Sequence, residues 1–507
     1  MQFNTLELQF NTDHFYTDYQ TLIFTVVMKK TIVMKRFQII GLSIVLVLVN
    51  VYVQAQDGGK QVISFNNKRI VYQNSFGPLQ NFQVEVKGEI EVSDDDRDII
   101  GMSSDGYLEI EKTVFGNRRR IIITSQGNSL KREYYEGRSK QPYEPEGRKW
   151  LAEILPELVR SSTIGATSRV NRFYRKGGTA AVLQEINDLE SDYVKHHYAS
   201  LLIKQPVQPK EYPGIVQSVS KSINSDYYLA SFIEKNIDKF LLTPEATHAV
   251  SIAANEITSD YYKASVLKKA LRSSQLTENS LKSIVASSTQ INSDYYLSDV
   301  LNAALNKTLT DELIEQIALS AKSIGSDYYL AQVLNKLLNK QLSKSSYQKV
   351  IESVNEIGSD YYKASVIQNL ANQRLSTDDL KGIIKQASTI GSDYYLANVF
   401  VQLVKSQNLN SESFQFLMDN TSAISSDYYL SNVLVTAVDK TDLSSEQLQS
   451  ILQATSKIAS DHYITTVLVK AAPKVRTGNE TTKEQYRKTA KEISSETYYG
   501  RVMRAID

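Results

Sequence analysis

No cysteine occurs anywhere in the 507 residues of this chain. That excludes disulfides, thiolate metal sites and a cysteine nucleophile, and it suits an oxidising compartment where a stray thiol is a hazard. Histidine is scarce as well. The five are His14, His196, His197, His248 and His462, and none stands in a His-Glu-x-x-His pattern, so no zinc peptidase site is encoded. His196 and His197 are consecutive, and neighbours on a helix point about 100° apart, which is poor geometry for sharing an ion. No glycine-rich phosphate loop is present, and the stretch from Gly101 to Gly106 lacks the spacing of a nucleophile elbow. Net charge is also missing. With 57 basic against 56 acidic side chains, no global field draws the protein to nucleic acid or to an anionic membrane surface. These absences leave no expected catalytic residue, cofactor site or metal site.

What is present is a repeat. A Ser-Asp-Tyr-Tyr phrase, or a near copy, returns every 33 or 34 residues, with its serine at 191, 225, 259, 293, 326, 359, 392, 426 and 460. A fixed period in this range marks a stacked architecture in which each unit hides its apolar side only against its neighbours. The copy centred on Asp393 shows the unit. Leu375, Ser376, Asp379 and Leu380 supply a staple, an N-cap and a capping box, and Leu380, Ile383, Ile384, Ala387 and Ile390 then fall on one helical face. Gly391 reads as a left-handed helix stop, and Ser392 as the cap of a second helix whose first-turn Asp393 meets the positive end of the helix dipole. Tyr395, Leu396, Val399, Phe400 and Leu403 form the apolar stripe of that helix. The predicted fold is mostly α: an α-solenoid of about ten two-helix repeats over residues 179–507, ending in a cap that Ser494 to Tyr499 begins.

Other regions precede the repeats. Lys35 and Arg36 stand before an apolar run from Ile39 to Val53 that ends at Val53-Gln54-Ala55, the pattern of a secretory signal peptide over residues 34–55 with cleavage after Ala55. Met28 or Met34 is a more natural start than Met1, which makes residues 1–33 an upstream extension. An extracytoplasmic location follows, and the membrane would be met only through an uncleaved signal segment. Residues 61–140 alternate apolar and polar positions, as in Phe82 to Val86 and Tyr107 to Ile110, and predict a small antiparallel β domain. Lys87-Gly88-Glu89 and Phe115 to Arg118 read as its hairpin turns. Asp94-Asp95-Asp96 reads as a solvated turn, and Arg118-Arg119-Arg120 as a solvated edge that discourages sheet pairing. Residues 146–178 hold connecting helices, the first carrying Trp150, Leu151, Ile154, Leu155, Leu158 and Val159 and expected to seat the β domain on the repeats.

Unit length and helical pairing over about residues 179 to 500 resemble the tetratricopeptide and HEAT-like α-solenoid families. The tetratricopeptide Trp, Gly and Pro signature is missing, so only the architecture carries over. A β module with Gly106-Tyr107-Leu108-Glu109-Ile110, then Trp150-Leu151 and Ser-Asp-Tyr repeats, is similar to exported bacterial proteins associated with BlaR1-like sensor peptidases. Without the peptidase motif, that resemblance implies a non-catalytic sensing or partner-binding region.

Two readings of the phrase tyrosines follow. At 100° per residue the second starts the apolar stripe and is core, while the first lies toward the polar side with Ala230, Ala264, Ala331, Ala397, Gln332, Asn398 and Asn432. The candidate partner-binding residues are therefore Tyr227, Tyr261, Tyr295, Tyr328, Tyr361, Tyr394 and Tyr428, with Tyr193 before them and His462 interrupting the row. Either they bridge adjacent repeats, which stacking favours, or they stand exposed as a ladder for an extended peptide or a glycan. The aspartates, one per repeat, are assigned to helix capping and the dipole, because a single carboxylate coordinates calcium poorly. The function expected is an exported, non-enzymatic scaffold that binds a protein partner, with a glycan- or peptide-binding module as the alternative.

Overall fold

In the computed structural model, residues 60–65, 69–75, 80–274 and 276–507 are described. The upstream extension and the signal segment lie outside these residues. Two compact units divide after Arg172.

The first unit is a meander. Strands β1 (Lys60–Phe65), β2 (Arg69–Ser75), β3 (Gln80–Lys87), β6 (Tyr107–Val114), β7 (Asn117–Gln126), β8 (Ser129–Glu136) and β9 (Ser139–Gln141) form one antiparallel sheet in that order, while β4 (Ile90–Val92) and β5 (Ile99–Met102) pair separately. Register follows the alternation. Val84 lies opposite Ile110, Ile110 opposite Ile121, and Ile121 opposite Tyr134, so one buried row crosses four strands. Helix α1 (Arg148–Ser161) lays Trp150, Leu151, Ile154, Leu155, Leu158 and Val159 onto this row. These side chains complete the β unit's own core.

Two turn readings meet different outcomes. Phe115 and Gly116, at φ +48° and +79°, join β6 to β7 with Val114 paired to Asn117, the two-residue hairpin whose backbone twist suits the strands. Gly88, at φ +77°, is instead the exit from β3 toward β4, which pairs with β5. The arginine run needs correction as well, because β7 is an interior strand between β6 and β8. Arg118 bonds Glu111, Arg120 lies 3.5 Å from Glu109 and 4.4 Å over the Tyr135 ring, and Arg119 faces Glu136 at 4.0 Å. Cross-strand pairing, not edge protection, accounts for the three.

Helix α2 (Ala166–Asp188) is broken at Gly177 and Gly178, the latter at φ +62°, and its part from 179 opens the repeat array. Leading helices follow at Tyr212–Ser222, Pro244–Glu256, Glu278–Ser288, Asp311–Ala321, Lys344–Val354, Thr377–Ala387, Ser411–Asn420, Ser445–Thr455 and Glu480–Ala490. Trailing helices, each opened by the phrase, run at Asp192–Leu202, Asp226–Lys235, Asp260–Leu271, Asp294–Ala304, Asp327–Leu338, Asp360–Leu370, Asp393–Ser406, Asp427–Val438 and Asp461–Arg476, and Glu496–Ile506 takes the same place at the C-terminal end. Leading helices stack on leading and trailing on trailing, which makes an α-solenoid of two layers. Among the described residues no helix is long and apolar enough to cross a membrane.

Caps and core explain why the chain folds this way locally. The Ser376 hydroxyl accepts from the Asp379 amide at 3.2 Å, and the Asp379 carboxylate accepts from the Ser376 amide at 3.3 Å, closing the capping box. Ser444 closes the same box with Gln447, while Thr277, Ser343 and Asn410 accept from the amide three residues on without the return bond. Between the layers Leu380, Ile383, Ile384, Leu396, Val399, Phe400 and Leu403 are buried, as the stripe requires. Ala230, Ala264, Ala331 and Ala397 are buried too, against the expectation that they flank the polar side.

Candidate functional site

The phrase opens every trailing helix, and each of its residues has a separate task. The serine holds the N-cap position in extended conformation (Ser392, φ −84°, ψ 113°), yet its hydroxyl makes no cap bond. Its amide is used instead. Asp360, in the repeat before, accepts from the Gly391 amide at 3.1 Å and from the Ser392 amide at 2.8 Å, one carboxylate oxygen to each. The pattern recurs along the array. Asp260 receives Asn292 and Ser293, Asp327 receives Gly358 and Ser359, Asp393 receives Ser425 and Ser426, and Asp461 receives Ser494 and Ser495. Asp226 also accepts from the Thr258 hydroxyl at 2.7 Å. The aspartate is thus a staple between consecutive repeats. The expected assignment to capping its own helix missed this reach.

The residue before the serine is correspondingly different from its predicted role. Gly325, Gly358 and Gly391 are absent from the left-handed region. A side chain built on Gly391 would meet the Asp360 carboxylate at 3.5 Å, an ordinary contact, and asparagine, threonine, serine and alanine fill the place in other repeats. The backbone amide is what this position supplies.

The tyrosines form one continuous row of ring contacts. Within a phrase the two rings are 4.9 to 5.1 Å apart, and the first ring reaches the second ring of the next repeat at 5.8 to 6.1 Å, always at 64° to 68° between planes. Such edge-to-face geometry is favourable, worth roughly 0.5 to 1.5 kcal/mol per pair beyond burial. Tyr193 begins the row, and His462 continues it to Tyr463 and Tyr498. The first tyrosines bridge repeats and are exposed at once: Tyr227, Tyr261, Tyr295, Tyr328, Tyr361, Tyr394 and Tyr428 range from 48% to 55%. The two readings were therefore not alternatives. The second tyrosines are not core, since Tyr262, Tyr329 and Tyr395 are only partly buried and the fully buried stripe starts one residue later at Leu297, Leu330 and Leu396.

Each second ring lies between two first rings, as Tyr262 does between Tyr227 and Tyr261. The surface is consequently a file of notches, with half-exposed rings as walls and a partly buried ring as floor. One turn further along the trailing helices stand Gln332, Asn398 and Asn432, uncharged and at least partly exposed. Beyond the C-terminal ends of these helices Lys239, Lys307 and Lys440 donate to the carbonyls of Ile203, Ser273 and Val404, at or just past the end of the preceding trailing helix, each at 2.9 Å. Those lysines staple the layer and leave the tyrosine row as its open feature.

Other residues singled out by sequence do not converge. His196 stacks on Tyr228 at 5.6 Å, and burial, then the Lys235 charge, pushes it down to about 4. His197 is lowered chiefly by burial, and among the described residues no group of three or more histidine, aspartate or glutamate side chains could hold a metal ion. In the β unit an open groove of about 660 Å³ is lined by Lys112, Phe115, Arg118, Trp150, Glu153 and Ile154, with no nucleophile and base set against each other. Asp94 and Asp95 are exposed as predicted for the acidic turn, but Asp96 is not. At φ +57° it turns inward to Arg169 and Arg172.

The chain matches no known family and no curated protein. Among solved structures it is similar to a chain of the exomer cargo adaptor complex, at 10% identity and a TM-score of 0.19, over 84% of this chain and 84% of that one. A circular tandem repeat protein aligns at 12% identity and a TM-score of 0.13, covering 71% of this chain and 78% of its own. Superpositions this loose carry no argument about function. The helical repeat class rests on the stacking described above.

Proposed function

We propose that the protein is an exported, non-enzymatic scaffold that holds a protein partner on the trailing-helix face of its solenoid, in sensing or regulation at the cell envelope. The observation that carries this reading is the file of half-exposed tyrosines, large amphipathic rings of the kind enriched at interfaces, repeated without a break on one face. Its rigidity supports the same view. Carboxylate staples and ring contacts hold the rungs in place before any partner arrives, which lowers the ordering cost of association. The signal pattern and the lack of cysteine support export. A glycan on the same row is the second reading, favoured by the rings alone.

Photocrosslinking in the native cell tests the proposal. A benzophenone amino acid at Tyr328 is expected to give a recurrent adduct with one protein, whereas the same group at exposed Lys344 or Lys385 on the leading-helix side gives none. Adducts that are equally frequent from both sides, or absent from every rung, would overturn the scaffold reading.

A further inference from the structure

We propose that the notches dock a basic, proline-rich segment of a partner protein in the polyproline II conformation, one turn of the segment per repeat. The inference rests on the scaffold reading and names the chemistry of the partner. Spacing comes first. The two legs of each step, 5.0 and 6.1 Å, cap the distance between successive exposed rings at about 11 Å, and neighbouring helices pack roughly 8 to 10 Å apart. A polyproline II helix has three residues per turn and a rise of about 3.1 Å, so every third side chain returns to the same face after roughly 9.3 Å. A proline at each third position therefore meets one notch after another in phase. An extended strand of period two does not keep this register.

Shape agrees with spacing. The floor ring is tilted 67° from both walls in the notch formed by Tyr261, Tyr295 and Tyr296, so the row offers ridges and clefts rather than a flat platform. Clefts between rings accept a proline ridge, whereas a sugar chain stacks best on coplanar faces. Polyproline II has no internal hydrogen bonds, and its carbonyls need donors. Tyrosine hydroxyls and the amides of Gln332, Asn398 and Asn432 stand beside the notches to supply them.

Charge sets the remaining positions. Each repeat brings one phrase carboxylate to the rungs, where it is held by uncharged backbone amides. In one notch the Tyr296 phenol is pushed up first by burial, then by Tyr295 and Tyr261, and only after these by Asp260 and Asp299. Lys263, within a phrase, is buried and donates to the Gln290 carbonyl, so it does not cover the row. Lysine or arginine between the prolines complements these carboxylates and can lie over a ring face.

The test uses the full chain and labelled synthetic peptides. A fifteen-residue repeat of Pro-Pro-Lys is expected to bind at least about tenfold more tightly than Gly-Gly-Lys of equal charge or Pro-Pro-Glu, and affinity should rise with each added turn as more notches engage. Shifting the prolines to every fourth residue should abolish that gain. The triple variant Tyr328→Ser, Tyr361→Ser, Tyr394→Ser should lose about tenfold while the lysine-staple face stays folded by circular dichroism. Should that variant unfold, the fourth-residue peptide on the unaltered protein decides alone. Equal binding of Gly-Gly-Lys, no dependence on proline spacing, or binding of a chitin or cellulose oligomer in place of the peptide would overturn the proposal. A crosslinked partner together with failed peptide binding would sink this inference and leave the scaffold reading intact.

Discussion

Replacing Asp96 with alanine is expected to destabilise the β unit by about 3–5 kcal/mol, the usual cost of removing one member of a buried ion pair. Arg169 is fully buried and grips both oxygens of Asp96, with Nε at 3.1 Å from each and Nη2 at 2.8 Å from Oδ2. Arg172 adds Nη2 at 2.6 Å to Oδ1. Alanine takes away the carboxylate that both guanidinium groups face, and it also fits the left-handed backbone at 96 poorly. Asparagine tolerates that backbone, so Asp96→Asn isolates the charge, and it should keep most of the loss. Adding Arg169→Met to Asp96→Ala should recover part of it. Trp150 is the chain's single tryptophan and sits in this unit's core, so its emission during urea unfolding reports on this unit.

The same pair fixes a pH dependence. Burial alone would raise the Asp96 carboxyl, but Arg169 and Arg172 outweigh it and hold the group below its ordinary 3.8. A carboxyl depressed in the folded state contributes stability that is present above the unfolded value and lost as pH falls through the folded one. Acidification below about pH 4 should therefore weaken the β unit, and Asp96→Asn should flatten that slope. A variant that loses less than about 1 kcal/mol, or keeps the full acid slope, would show that the arginines do not depend on Asp96.

Substituting Asp360 should cost about 1.5–3 kcal/mol, the range for hydrogen bonds to a charged group. Two backbone amides, Gly391 and Ser392, lose their acceptor together. Because a repeat array is stabilised by nearest-neighbour terms, the damage should concentrate at one interface. Hydrogen exchange should quicken at Gly391 and Ser392 while the amides held by Asp260 and Asp461 keep their protection. Asp299 is the matched control. It pairs with Lys268 at a site about one-third exposed, so its alanine variant should lose under about 1 kcal/mol. Equal effects at 360 and 299 would contradict the staple.

How much could be read from the chain depended on range. The two-helix unit was legible because period, capping residues and the stripe through Leu396, Val399, Phe400 and Leu403 are all local. The task of Asp360 was not, because its partners lie 31 and 32 residues onward and meet it only once repeats stack. Gly391 misled for the same reason: a glycine after a helix suggests a left-handed stop, whereas here the amide alone is required. The tyrosines sit where 100° steps divide poorly between inside and outside, and edge-to-face packing lets one ring be both bridge and surface. Asp96 shows the limit, since its partners are 73 and 76 residues away and three adjacent aspartates read as a wet turn.

Limited nitration of the folded protein with tetranitromethane, mapped by peptide mass spectrometry, measures the outward-facing row itself. Tyr261, Tyr328 and Tyr394 should be modified well ahead of Tyr262, Tyr329 and Tyr395 in the same peptides. Equal modification within each pair, or faster reaction of the second tyrosine, would contradict a stack that turns the first ring to solvent and the second toward its neighbours.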